Sequence, residues 1–373
     1  FAALPTREET DALIESELGP VPDMQEALDR ARVVGSEQAF LIGIRVLSGT
    51  INASQAGQAY ALLAERLIAR LQLTVEHELV RQHGTVPGGA AAVLAMGKLG
   101  GREMTASSDV DLIVVYDFEG EGAMSDGAKP LAPQHYYARL TQRLITALAS
   151  PTAEGTLYEV DMRLRPSGQK GPVATQLSSF VDYQRNEAWT WEHLALTRAR
   201  VITGPDEFAA NVNAAIRQAL VRPRDRAKTA ADVLDMRQRI AAEKGTDNIW
   251  DLKQVRGGLV DLEFMAQYLQ LIHAAQHREV LDQGTLGAFQ KLAAAGLLRP
   301  EDADVLIPAT RLVHDLTQIL RLCAEGSFDP ATAPAGLKEL LGRAGDAPSF
   351  AQLETRLKGT LAAVAALFPR IVC

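Results

Sequence analysis

The stretch from Ala91 to Asp117, AAVLAMGKLGGREMTASSDVDLIVVYD, constrains the fold of this chain more than any other. An apolar run ends at Gly97, a Gly100-Gly101 pair follows, and Asp109 and Asp111 open a second apolar run that ends near Tyr116. The pattern reads as a strand, a glycine turn with a short helix start, and a second strand carrying two carboxylates. Side chains along a strand alternate faces, so Asp109 and Asp111 project on one side, about 6.5–7 Å apart along the backbone. Two such charges brought to 4 Å near a protein surface repel by ~4 kcal/mol. Something cationic must justify them, and Mg²⁺, which takes oxygen ligands, is the usual answer.

A second informative segment is LYEVDMRLRP. Tyr158, Val160, Met162 and Leu164 are apolar and alternate with Glu159, Asp161, Arg163 and Arg165, which predicts an eight-residue half-buried strand whose open face presents acids and then arginines. Transfer at a nucleotide α-phosphate must neutralise the triphosphate, hold the leaving pyrophosphate and activate an attacking hydroxyl. Two metal ions about 3.5–4 Å apart accomplish all three, and three carboxylates anchor them. Glycines at a helix start let backbone N–H groups approach phosphate oxygens, and Arg163 and Arg165 can take up charge on the phosphates. Alone, a D-x-D pair is often an edge decoration and a Gly-Gly pair a turn; the combination with Asp161 carries the signal.

At 373 residues the chain exceeds the usual single core, so two or three folding units are expected. The pattern is helical to about Gln82, with Tyr60, Leu63, Leu67 and Leu71 on one face, and HGTVPGG then breaks it. Tyr137, Leu140, Leu144 and Leu148 mark another helix closed by Pro151. The segment holding Trp189, Trp191, Glu192, His193, Arg198 and Arg200 reads as a turn and a helix. From about Pro205 the periodicity is helical to the end, with loops near residues 222–226, 244–258 and 325–336, and the seam Leu353, Leu357, Leu361, Val364, Leu367 is core packing in a bundle. The expected class is α+β and mostly helical: an N-terminal helical segment (1–85), a domain with a small mixed sheet (86–204) and a C-terminal helical bundle (205–373). The active site is expected in the cleft between sheet and bundle.

Phe1 in place of Met, followed by an ordinary polar helical run rather than a signal peptide, suggests a piece of a longer protein. No apolar run approaches the ~18–20 residues that span a bilayer, so a soluble protein without membrane contact is expected. A net charge of −8 argues against nucleic acid as a partner. Two cysteines, Cys323 and Cys373, suit a reducing cytoplasm.

Four segments in order, GKLGGREMTASSDVDLIVVYD, YEVDMRLRPSG, YQRNEAWTWEHLALTRARV and GGLVDLEFMAQYL, resemble the glutamine synthetase adenylyltransferases of the DNA polymerase β-type nucleotidyltransferase superfamily, closely over residues 40 to 275. The resemblance implies Mg²⁺ as cofactor, ATP as substrate, glutamine synthetase as protein substrate and a PII-type signal protein as regulator through the full-length enzyme. It carries Asp109, Asp111 and Asp161 over as the catalytic, metal-binding acids, with Glu159 ranked below them. Gly100, Gly101, Ser108, Arg163 and Arg165 are the expected nucleotide-binding residues. Gly101 stands where the superfamily commonly has serine, leaving Ser107 or Ser108 to supply a hydroxyl. Family members hold two similar halves, one adding AMP to a tyrosine and one removing it by phosphorolysis. One acid motif occurs here, and AWTWEH resembles the adenylylating half. The removing half, a transferase acting on another protein, and a nucleotide-holding module without turnover are the alternatives.

The other motifs read as structural. His273 and His277 have helical zinc spacing, but Ala274 stands where a metalloprotease has Glu. Asp261 and Glu263 fit a helix start, where acids meet the dipole favourably. Trp189 and Trp191 are read as core or interdomain packing, and Arg198 and Arg200 as phosphate or interdomain contacts.

Overall fold

The computed structural model describes residues 4–19, 23–120, 122–324 and 326–373. Three helices come first: α1 (Arg7–Leu18), α2 (Met24–Leu47) and α3 (Ala53–His83). Helix α3 starts in a capping box, in which Asn52 and Gln55 each accept the other's backbone N–H, and stops at Gly84, whose φ of 69° favours glycine. Tyr60, Leu63, Leu67 and Leu71 lie on its buried face, each contributing roughly 1.5–3 kcal/mol through burial.

The sheet follows, with β1 (Ala90–Ala95), the one-turn α4 (Gly97–Gly100) and β2 (Val110–Asp117). Helix α5 (Pro133–Ala149), with proline at its first turn, precedes β3 (Val160–Asp161), β4 (Ala174–Gln176), α6 (Leu177–Asn186), α7 (Thr190–Leu196) and β5 (Arg200–Val201). The sheet is mixed, in the order β3-β2-β1-β5 with β4 also on β2; β1 is antiparallel to β2 and β5, whereas β3 and β4 run parallel to β2. Strand β2 is buried through its middle on both faces, as a central strand flanked by helices must be.

Helices α8 (Asp206–Leu220), α9 (Arg226–Lys244), α10 (Leu259–His273), α11 (Thr285–Ala294), α12 (Pro300–Cys323), α13 (Ala335–Ala344) and α14 (Phe350–Ile371) complete the chain. The α14 seam from Leu353 to Leu367 is buried as expected. The architecture is α+β and mostly helical, and buried apolar side chains from Ile14 to Val372 form one continuous core. No described helix is long and apolar enough to cross a membrane.

Two expectations are corrected. The eight-residue strand over Tyr158–Arg165 is only the pair Val160–Asp161, because the Asp161 carboxylate accepts the Arg163 backbone N–H at 2.8 Å and turns the chain out of the sheet. The segment around Trp191 is two helices and a strand, with Arg200 on β5. Helix α7 begins at Thr190, and its buried anchor is Glu192, which accepts the Trp189 N–H at 2.9 Å and the Tyr183 hydroxyl at 2.8 Å. Trp189 is thereby left outside the core at 71% exposure, and Trp191 stands at the surface.

Candidate active site

Parallel pairing of β2 with β3 sets Asp111 opposite Asp161, and Asp109 sits one residue before β2 begins. The three side chains therefore converge: one carboxylate oxygen from each lies within 4.8 Å of the other two. They line a cavity of about 600 Å³ between the sheet and the helices of the C-terminal half.

The three acids are not equivalent. Asp111 is the most enclosed; burial, then the neighbouring Asp109 and Asp161 charges, push its carboxyl up to about 6, against a weaker pull from Arg198 and Lys253. Asp161 moves the other way. Burial opposes its charge, but the Arg163 backbone N–H and guanidinium (Nε at 2.7 Å, Nη2 at 2.5 Å) hold it below the usual carboxylate range. Arg163 is largely exposed. Asp109 is exposed and makes no side-chain hydrogen bond or ion pair with the described residues. Concentrated negative charge that raises one pKa and leaves another acid unpaired is poorly compensated by this chain alone. An all-oxygen donor set of this kind fits a hard divalent cation such as Mg²⁺.

Of the remaining expected residues, Ser108 and Arg163 line the cavity, as do Ser107 and Glu159. The Ser108 hydroxyl also closes a turn, accepting the Thr105 N–H at 2.9 Å. Arg165 does not line it; its guanidinium donates to the carbonyls of Met162 and Pro172 at 2.8 and 3.1 Å and pins the loop after β3. Gly100 and Gly101 also lie off the cavity. A Cβ at Gly100 would collide with the Arg198 carbonyl and one at Gly101 with the Arg198 guanidinium, so the pair permits close backbone packing. The glycine against the acids is Gly97, which has φ of 51° and space for a Cβ only where the Asp111 carboxylate lies.

Sequence reasoning missed several lining residues. Gly97 and Lys98 were legible in the MGKLGG turn, directly after an apolar run. Glu263 was read only as a helix-start acid, and Lys253 and Arg321 come from distant segments with no local signature. Arg198, buried at the cavity wall, donates to Glu103 at 2.6 Å and to Glu263 on α10 at 2.9 Å, tying sheet side to bundle side. Arg200 donates to Glu65 on α3 at 2.5 Å and to the Leu99 and Gly100 carbonyls. Both arginines are contacts between parts of the chain. Asp261 is fully buried and bound by Arg237, by Arg256 at 3.1 Å and by the Gly257 N–H at 2.5 Å, while His277 pairs with Glu279 at 3.1 Å.

A family profile described as "Glutamate-ammonia ligase adenylyltransferase" matches residues 2–215, more than half the chain. The chain belongs to that family. A second profile, "GlnD PII-uridylyltransferase", matches residues 229–372. Over 372 residues, 100% of its length, the chain is 52% identical to the bifunctional glutamine synthetase adenylyltransferase/adenylyl-removing enzyme of Rhodopseudomonas palustris. It is 50% identical over 99% of its length to the protein of the same name from Bradyrhizobium diazoefficiens, and 52% identical over 100% to that from Xanthobacter autotrophicus. It covers 38%, 37% and 38% of these three proteins, so it spans less than two-fifths of the length of the curated relatives it matches. The acid-bearing sheet lies in the region matched by the adenylyltransferase profile, and Lys253, Glu263 and Arg321 lie in the region matched by the uridylyltransferase profile.

Proposed function

We propose that this adenylyltransferase-family chain transfers AMP from ATP to a tyrosine of glutamine synthetase with release of pyrophosphate, using Asp109, Asp111 and Asp161 as its metal-binding acids. The observation that carries the reading is the convergence of these three carboxylates within 4.8 Å on a cavity large enough for a nucleotide. The relatives' shared name supplies the substrate.

Asp109, Asp111 and Asp161 would hold Mg²⁺, which when bound would neutralise phosphate charge and lower the pKa of the attacking hydroxyl. The chain's own contribution is placement. Gly97 leaves room for the Asp111 carboxylate, and the β2–β3 pairing fixes Asp161 beside it. A tyrosine hydroxyl with a pKa near 10 is scarcely ionised at pH 7. A carboxylate must therefore stand within reach of it, and Asp161, held ionised by its hydrogen bonds, is the residue assigned. Arg163 is exposed enough for its guanidinium to turn to phosphate oxygens while its backbone N–H stays on Asp161. Ser108 supplies a hydroxyl to the same chain of phosphates.

The relatives' name also includes adenylyl removal, so the phosphorolytic direction on the same acids is the second reading. Incubating the chain with unmodified glutamine synthetase plus ATP and Mg²⁺, and separately with adenylylated enzyme plus phosphate, decides between them. Label transfer in neither reaction would overturn both. Regulation by a PII-type protein through the longer enzyme accords with the uridylyltransferase-like region, and a cytoplasmic location follows from that substrate and regulator.

A further inference from the structure

The acid-lined cavity has a neighbour. A second cavity of about 400 Å³ is walled by Trp250 and Phe328, with Thr246, Asn248 and Ser327 at its polar side. Four residues line both cavities: Lys98, Ser107, Lys253 and Arg321. Three of the four are cations, and they come from three separate places: Lys98 on α4, Lys253 in the loop before α10, and Arg321 in the last turn of α12.

These cations are not consumed by the fold. Among the described residues none of the three makes an ion pair or a side-chain hydrogen bond, although Arg198, Arg200 and Arg237 nearby are each tied to carboxylates. Lys98 is sheltered, and its ammonium is pulled down first by burial and then by Lys253 and Arg321, against a weaker upward pull from Glu263 and Asp109. The acids of the first cavity lie on the same space, yet none of them is paired with these three cations, which repel one another. They are relieved by an anion whose charge and length let it reach all three, and a short chain of phosphates has both.

We propose that Lys98, Lys253 and Arg321, with the Ser107 hydroxyl, form the seat for the β- and γ-phosphates of the nucleotide and for the pyrophosphate that leaves. The inference rests on the nucleotidyl-transfer reading and adds to it that the C-terminal helical half supplies two of the three cations. The acids hold the reacting phosphoryl group, and the cations, at the threshold between the cavities, take the rest of the chain. A nucleoside monophosphate has no β- or γ-phosphate to offer them, so the same cations discriminate tri- from monophosphate.

Lys253 and Arg321 are exposed, so Lys253→Gln and Arg321→Gln are expected to leave the core untouched and the melting temperature unchanged. Calorimetric titration with pyrophosphate, ATP and AMP, each with Mg²⁺, reads the effect. A charge-assisted contact to phosphate is worth about tenfold or more in affinity. Each single variant is expected to lose about that much for pyrophosphate and ATP, and the double variant more, while AMP affinity stays within about twofold. Equal losses for all three ligands, or pyrophosphate affinity in the double variant matching that of the unaltered chain, overturns the seat. Asp111→Asn is titrated beside them. If it abolishes Mg²⁺-dependent ATP binding while the double variant binds pyrophosphate normally, the transfer reading stands and the phosphate seat falls. If the unaltered chain binds neither ATP nor pyrophosphate with Mg²⁺, both fall.

Discussion

Two acidic centres in this chain are built on opposite principles. Asp261 is fully buried, and its carboxylate is met by Arg237, Arg256 and the Gly257 N–H. Asp109, Asp111 and Asp161 are more open, crowd one another, and have Arg163 as the one ion-pair partner among the described residues. In the first centre the carboxylate is answered from within, so its chemistry is spent on holding α9, α10 and the loop between them together. The second keeps charge unanswered, and it is the poorly compensated centre that has something left for a ligand.

That contrast is open to direct attack. Asp261→Ala leaves Arg237 buried without its partner, and a destabilisation of about 3–5 kcal/mol in urea unfolding is expected. A loss under about 1 kcal/mol would mean that the buried centre is not structural. Asp111→Asn, in the other centre, is expected to fold and to lower AMP transfer by roughly 100-fold or more, measured with radiolabelled ATP.

His193 extends the comparison to a buried group that the fold keeps neutral. Burial first, then the adjacent Arg224, lowers its pKa to about 4, while its Nε2 contacts the Gln184 carbonyl at 3.0 Å. Because the folded value lies below the unfolded value of 6.5, its contribution is present in full above about pH 6.5 and lost as the pH falls towards 4. Up to about 3 kcal/mol of stability is expected to disappear over that window, and His193→Gln flattens this part of the profile.

The smallest effect has the opposite sign. The folded pKa of Asp111, about 6, lies above the ordinary aspartate value of 3.8, so its favourable contribution holds below pH 3.8 and is lost as the pH rises through 6. In chelator at pH 8, Asp111→Asn is therefore expected to stabilise the chain by roughly 1–2 kcal/mol. Destabilisation there would show that the open centre resembles Asp261 after all.

How much of this was legible depends on distance along the chain. Strands β1 and β2, the apolar faces of α3, α5 and α14, and the three acids follow from local periodicity and spacing, which one stretch of sequence contains. The alternation around Asp161 suggested a long strand because spacing does not report that a carboxylate can capture the backbone N–H two residues on. The glycine pair was assigned to phosphates because what occupies the space beside a glycine is set by remote chain, here Arg198. Trp189 looked like core because its size promises burial, yet a helix start fixed by Glu192 turns it outward. Lys253 and Arg321 had no readable signal, since only tertiary packing brings them to the cavity.

The most direct test is a crystal of the chain grown with Mn²⁺ and a non-hydrolysable ATP analogue and measured for anomalous scattering. The account predicts metal peaks within coordinating distance of Asp109, Asp111 and Asp161, with the analogue's α-phosphate bridged to them. Nucleotide bound elsewhere, or a metal-free acid cluster beside bound nucleotide, would contradict it.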